Sequence, residues 1–173
     1  MKKIFVTRKL LKENEDKLKK YFDVKLNSTD KIYSAQEIID GSKDCDGIFS
    51  TVTDLISAQT INKLSSNIKI IANGAVGFGN IDFIAAKKRN IVVTNTPDVL
   101  TDATADISIL LLLGASRKAY EARAEAETQS WTWSWDFMLG KQMSNKKLGI
   151  LGMGRPILPI PKIPSLVPVN CFP

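Results

Sequence analysis

Five times in the first hundred residues, a short β-branched or apolar run is followed by a segment with helical signals. The runs are residues 3–7, 23–26, 47–51, 68–72 and 91–94. Such regular alternation confines a chain to a parallel sheet, because each parallel strand is reached only by a right-handed crossover. The expected fold class is α/β, with five parallel strands in a flavodoxin-like order and helices on both faces. The helical segments are punctuated. Leu11, Leu18 and Phe22 fall at intervals of seven and four, on one helix face. Ser34-Ala35-Gln36-Glu37 is a capping box ahead of Ile38 and Ile39, and Gly41 closes that helix. Ser57 opens a helix carrying Ile61 and Leu64, and Asp82 opens one that ends in Lys87-Lys88-Arg89. Residues 68–72 are almost wholly apolar, as suits a strand covered on both faces.

Ligands on such sheets sit beyond the carboxyl ends of the strands. The glycine-rich residues 73–80 follow the fourth run and therefore lie at that edge. They read either as a plain turn or as an anion grip, in which Gly77 and Gly79 permit close approach and unusual backbone angles. One long helix is expected from about residue 101 to about residue 129. Thr104 lies in its first turn, where a hydroxyl and unpaired N–H groups meet a polar ligand; it is equally a simple helix-start threonine. Trp131, Trp133 and Trp135 form an apolar wall or pack locally. A strand over 147–151 leads into Gly152-Met153-Gly154, the opening of a phosphate-binding turn. Its third glycine position is Ile157, preceded by Pro156, so the motif is begun and not completed. Residues 156–173 hold six of the seven prolines and no acid. They are expected to be irregular or polyproline-like, and the break in composition suggests out-of-frame sequence.

Several function classes are disfavoured. The net charge is +6, but the lysines of residues 9–20 are interleaved with acids, the pattern of a solvated helix face rather than a nucleic-acid stripe. The longest apolar stretch, residues 107–115, is well short of the roughly 20 residues that span a bilayer and reads as a buried helix face. The basic N-terminus meets charge again at Arg8 and Lys9, which leaves no signal-like apolar run. A cytoplasmic location is the default. Cys45 and Cys171 are too few for a metal site or disulfide framework, and Cys45 reads as a packed residue rather than a nucleophile. No metal is expected.

Residues 70–155 resemble the D-2-hydroxyacid dehydrogenases of the glyoxylate/hydroxypyruvate reductase type. Four segments carry the likeness in the family's order: Gly74-Ala75-Val76-Gly77-Phe78-Gly79-Asn80-Ile81-Asp82; residues 93–106 with Pro97-Asp98-Val99-Leu100-Thr101-Asp102; the tryptophan segment 131–140; and residues 147–155. The resemblance implies a flavodoxin-like substrate domain over 1–100 and an interdomain and dimerisation helix with the tryptophan segment over 101–146. It also implies the first strand of a Rossmann NAD(P)-binding domain over 147–155, followed by the aberrant tail 156–173. It implies that the amides of Val76 and Gly77 hold the carboxylate of a small 2-oxo or 2-hydroxy acid such as glyoxylate or hydroxypyruvate. Thr104, Gly152, Gly154 and Arg155 would touch NAD or NADP, and a homodimer would form through the long helix. In relatives a far C-terminal helix closes the substrate domain.

The family's chemistry needs a histidine, an acid that orients it and an arginine, all well beyond the fingerprint. The 173 residues contain no histidine, so no residue has an unperturbed pKa suited to that proton transfer near neutrality. No catalytic residue is therefore assigned. The chain is expected to be cut off inside its dinucleotide loop, to be inactive alone and to bind NAD(P) only weakly. Exposed apolar surface is expected near the long helix and near the strand over 147–151, which would stand without its sheet. A non-catalytic dimerisation or partner-binding module, and an adaptor using the proline-rich tail, are the competing readings.

Overall fold

A computed structural model describes residues 1–151 and 169–172. The chain divides into two compact units, Met1–Pro97 and Asp98–Pro173.

The first unit contains strands β1 (Lys3–Val6), β2 (Asp23–Lys25), β3 (Gly47–Ser50), β4 (Ile70–Asn73) and β5 (Val92–Thr94). Its helices are α1 (Lys12–Tyr21), α2 (Ala35–Gly41), α3 (Ala58–Lys63) and α4 (Phe83–Lys88). The strands form one parallel sheet in the order β2-β1-β3-β4-β5, the flavodoxin-like arrangement. Its register places Phe5, Ile48, Ile71 and Val93 side by side across four strands. Side chains alternate between faces, so this row makes one continuous apolar stripe. Ile38 and Ile39 of α2, Ile61 of α3, and Ala85 and Ala86 of α4 belong to the same buried cluster. A register slip of one residue in any strand would turn its share of the stripe away from these helices.

The caps hold as read. Ser34 and Glu37 exchange both bonds of a capping box, while Ser57 and Asp82 accept the amides of Thr60 and Ala85. Helix α1 lies on the opposite face, where Leu18 and Phe22 line a cavity with Phe49, the neighbour of Ile48 along β3. That face is covered only in part among the described residues, for Val92 on β5 is 58% exposed. Cys45 is buried, and desolvation pushes its thiol up, as befits a packing residue.

The second unit departs from expectation in three places. The long helix is two helices, α5 (Thr101–Ser116) and α6 (Ala119–Glu127). The Ser116 carbonyl, which would accept the Tyr120 amide in a continuing helix, accepts the Lys141 amide at 2.7 Å instead. Gly140 makes that approach possible, since a Cβ there would lie 2.9 Å from the same oxygen. Lys118 then turns the chain with φ 53° and ψ 43°. Second, the apolar run of α5 is not buried among the described residues. Ile107, Leu110 and Leu111 are exposed, and Ala105 is the helix's buried residue. The run is apolar all round, and the described residues cover only one side. Third, β6 (Leu148–Leu151) is not a lone strand, because it pairs in parallel with β7 (Val169–Phe172). Four proline-free residues after Pro168 keep their amides for pairing, so this part of the tail is not irregular. Ile150 is buried, so the expected exposure holds for α5 and not for this residue of β6. No helix among the described residues is long and apolar enough to cross a membrane.

Two outcomes follow for the first unit. Ile71→Ala, a truncation at a fully buried position, is expected to lower the unfolding free energy by about 2–5 kcal/mol in urea titrations. The second concerns Glu37, held at about 2 against an ordinary 4.5 by Lys31 first and then by the Ser34 amide and hydroxyl. A lowered carboxylate stabilises the fold above its unfolded value and loses that contribution as pH falls through the folded one. The stability gap between the native chain and Glu37→Gln is therefore expected to be constant above pH 4.5 and to close as pH drops toward 2. A gap that does not change with pH would contradict it.

Candidate functional site

Strand β4 ends at Asn73, and α4 begins after Asp82. The chain between them is held by its carbonyls. The Ala75 carbonyl accepts the Thr96 amide at 2.9 Å, and the Phe78 carbonyl accepts the Ile81 amide at 3.0 Å. The Val76 carbonyl accepts Asn95 Nδ2 at 2.7 Å, and the Gly77 carbonyl accepts Asn73 Nδ2 at 2.9 Å. Four successive carbonyls are thus occupied by protein donors. In a trans peptide the C=O of one residue and the N–H of the next point in opposite directions. The amides of Val76, Gly77, Phe78 and Gly79 accordingly face away from those donors. None of the four donates to an acceptor among the described residues. A run of free amides is a partial positive charge with fixed direction, suited to a carboxylate or a developing oxyanion.

The glycines serve this loop differently from the expectation. Neither Gly77 nor Gly79 takes a positive φ, so neither is needed for an unusual backbone angle. A Cβ at either would meet nothing within 4 Å, and the absence of a side chain leaves the amides open. Gly74 is the tight position: a Cβ there would lie 3.1 Å from the Phe49 ring. Beside the loop, Phe78, Phe83, Val93, Thr94 and Asn95 line an apolar cavity of about 290 Å³.

Val76 and Gly77 stand together in this loop, in the first unit. Thr104 stands in the second unit, on α5. Its amide already donates to the Leu100 carbonyl at 2.9 Å, so only its exposed hydroxyl remains for a ligand. Gly152, Gly154 and Arg155 lie outside the described residues. Trp131 stacks on Phe137 with centroids 5.6 Å apart, and Trp133 meets Trp135 edge-on at 5.0 Å. All three tryptophans remain exposed, which fits both a wall and local packing. No group of three metal-ligating side chains occurs among the described residues.

Sequence reasoning missed Asn73, Asn80 and Asn95. Each uses a side-chain amide to hold backbone carbonyls in or beside the loop. Their signal was present as asparagines bracketing a glycine-rich stretch; the acceptors of Asn80 and Asn95 are distant in sequence, whereas Asn73 reaches only to Gly77 and Asn80. Gly74→Ala is expected to cost about 1–3 kcal/mol by overpacking against Phe49. Gly77→Ala is expected to stay within about 0.5 kcal/mol of the native chain. Urea unfolding of both variants checks the pair, and equal losses would contradict the assignment of one tight and one open glycine.

The family model for the D-isomer specific 2-hydroxyacid dehydrogenase catalytic domain matches residues 4–137. The chain is 39% identical over 155 residues to a glyoxylate reductase of Korarchaeum cryptofilum, covering 88% of this chain and 46% of that protein. It is 35% identical over 158 residues to a glyoxylate reductase of Aeropyrum pernix, covering 88% and 47%. The chain thus spans about half the length of the relatives it matches. Among solved structures, an NAD-binding, D-isomer specific 2-hydroxyacid dehydrogenase from Polaromonas sp. JS6 66 superposes with a TM-score of 0.86 at 36% identity. That match covers 94% of this chain and 51% of the other. With the parallel sheet and its loop in place, the chain belongs to the D-isomer specific 2-hydroxyacid dehydrogenase family, to whose catalytic domain residues 4–137 match.

Proposed function

We propose that the 74–80 loop binds the carboxylate of a small 2-oxo or 2-hydroxy acid, of the glyoxylate and hydroxypyruvate class, for NAD(P)-dependent reduction or oxidation at the 2-carbon. The observation that carries this reading is the pair of free amides at Val76 and Gly77, with the preceding Ala75 and Val76 carbonyls both occupied. Their role is to orient the acid and to offset its charge. Preorganised amides do this without reorganising when the ligand arrives. The bound dinucleotide would supply or accept the hydride. Thr104, through its hydroxyl, and Gly152, Gly154 and Arg155 would hold it. The proton on the 2-oxygen needs a separate donor, and no histidine occurs in these 173 residues. The polypeptide by itself is therefore assigned carboxylate binding without turnover and only weak dinucleotide binding. The exposed apolar side of α5 and the three exposed tryptophans support a homodimer. Nicotinamide chemistry and the unpaired Cys45 suit a reducing, cytoplasmic compartment.

Titration of the ¹⁵N-labelled chain with oxamate, a stable 2-oxo acid analogue, tests the reading. Saturable amide shifts at Val76 and Gly77 are expected, with a dissociation constant on the order of 1 mM, equivalent to about 4 kcal/mol. Glyoxylate-dependent NADPH or NADH oxidation is expected to match the rate without protein. Shifts confined to surface lysines, or measurable turnover, would contradict it.

A further inference from the structure

Two asparagines given no contact with the acid in the reading above, Asn73 and Asn80, hold part of the loop in place. Asn73 is 2% exposed and stands at the end of β4. Its Nδ2 donates to the Gly77 carbonyl at 2.9 Å and to Asn80 Oδ1 at 3.1 Å, while its Oδ1 accepts the Ser50 hydroxyl at 3.3 Å. Asn80 Nδ2 donates to the carbonyls of Thr51 and Asp54, both at 3.0 Å. Both protons of each side-chain amide are thus used, and each carbonyl oxygen accepts one bond. This leaves neither amide group a second orientation, because a flip would set oxygen against oxygen.

The pair is anchored below as well. Asp54 is 1% exposed, and its Oδ2 accepts the Thr7 hydroxyl at 2.6 Å and the Thr51 amide at 2.7 Å. A continuous polar chain therefore runs from the end of β1, through the loop after β3, to the Gly77 carbonyl. The consequence falls on one peptide plane. Fixing the Gly77 carbonyl inward fixes the Phe78 N–H outward.

We propose that the Phe78 amide is a third donor to the bound carboxylate, and that Asn73 and Asn80 are positioning residues that aim it. This rests on the carboxylate reading of the 74–80 loop. The chemistry favours asparagine at both positions. An aspartate offers no donor and would set a charge against carbonyl oxygens, and serine offers one proton where two acceptors wait. A third donor suits an anion with four lone-pair directions better than two donors do.

The test compares the ¹⁵N-labelled native chain with Asn73→Ala, Asn80→Ala and the core variant Ile61→Val, each titrated with oxamate. In the native chain the Phe78 amide is expected to shift together with Val76 and Gly77. In Asn73→Ala the Phe78 response is expected to vanish and affinity to fall about tenfold, while the Val76 and Gly77 amides still respond. Asn80→Ala is expected to act in the same direction, which keeps the test open if Asn73→Ala does not fold. Ile61→Val is expected to lower the melting temperature and leave all three responses intact, as a purely structural role for the asparagines would also do. Residual dipolar couplings of the Phe78 N–H vector, measured without ligand, are expected to change in the asparagine variants alone. A native chain in which Val76 and Gly77 respond and Phe78 does not would overturn the inference and spare the carboxylate reading. Silence at all three amides would remove both.

Discussion

A peptide plane cannot hide its carbonyl and its N–H on the same side. Everything proposed for the 74–80 loop depends on that geometry. The protein supplies donors to the Ala75, Val76, Gly77 and Phe78 carbonyls, and the amides after them face outward as a result. Neither Gly77 nor Gly79 takes a positive φ in the loop. The donors themselves are placed by the sheet. Asn73 ends β4 and Asn95 follows β5, while Ser50, which ends β3, donates to Asn73 Oδ1. The row of Phe5, Ile48, Ile71 and Val93 holds those strand ends level, because it locks the register that sets where each strand stops.

Most of the first unit was legible because its signals are local. A capping box at Ser34 and Glu37, a serine at 57 and an aspartate at 82 each bond to amides only three residues away. The alternation of strand and helix then leaves few topologies open. What escaped reading depends on contacts between distant residues. The break between α5 and α6 follows from Lys141 taking the Ser116 carbonyl, and nothing in residues 114–118 alone demands it beyond one interior glycine. The pairing of β6 with β7 joins segments about twenty residues apart across a proline-rich stretch. The glycine-rich loop was recognisable as a candidate site, whereas the asparagines that orient it were not, since polar side chains near a turn ordinarily serve the turn itself.

The two halves of the chemistry differ in what these residues can support. Gripping a carboxylate needs only backbone amides with fixed direction, the part proposed for the first unit. Moving a proton near neutral pH needs a group that titrates there, and the sequence has no histidine to do it. The exposed apolar residues of α5 and the tryptophan segment add a third element, a surface whose burial would be favourable. Family membership rests on residues 4–137, and these residues include the loop, α5 and the tryptophans.

Crystals of the chain soaked in oxalate would test the central claim most directly. The account predicts a carboxylate whose oxygens lie about 3 Å from the backbone nitrogens of Val76 and Gly77, with the Ala75, Val76, Gly77 and Phe78 carbonyls still bonded to their protein donors. Oxalate bound only at lysine side chains, with the loop amides left empty at saturating concentration, would contradict it.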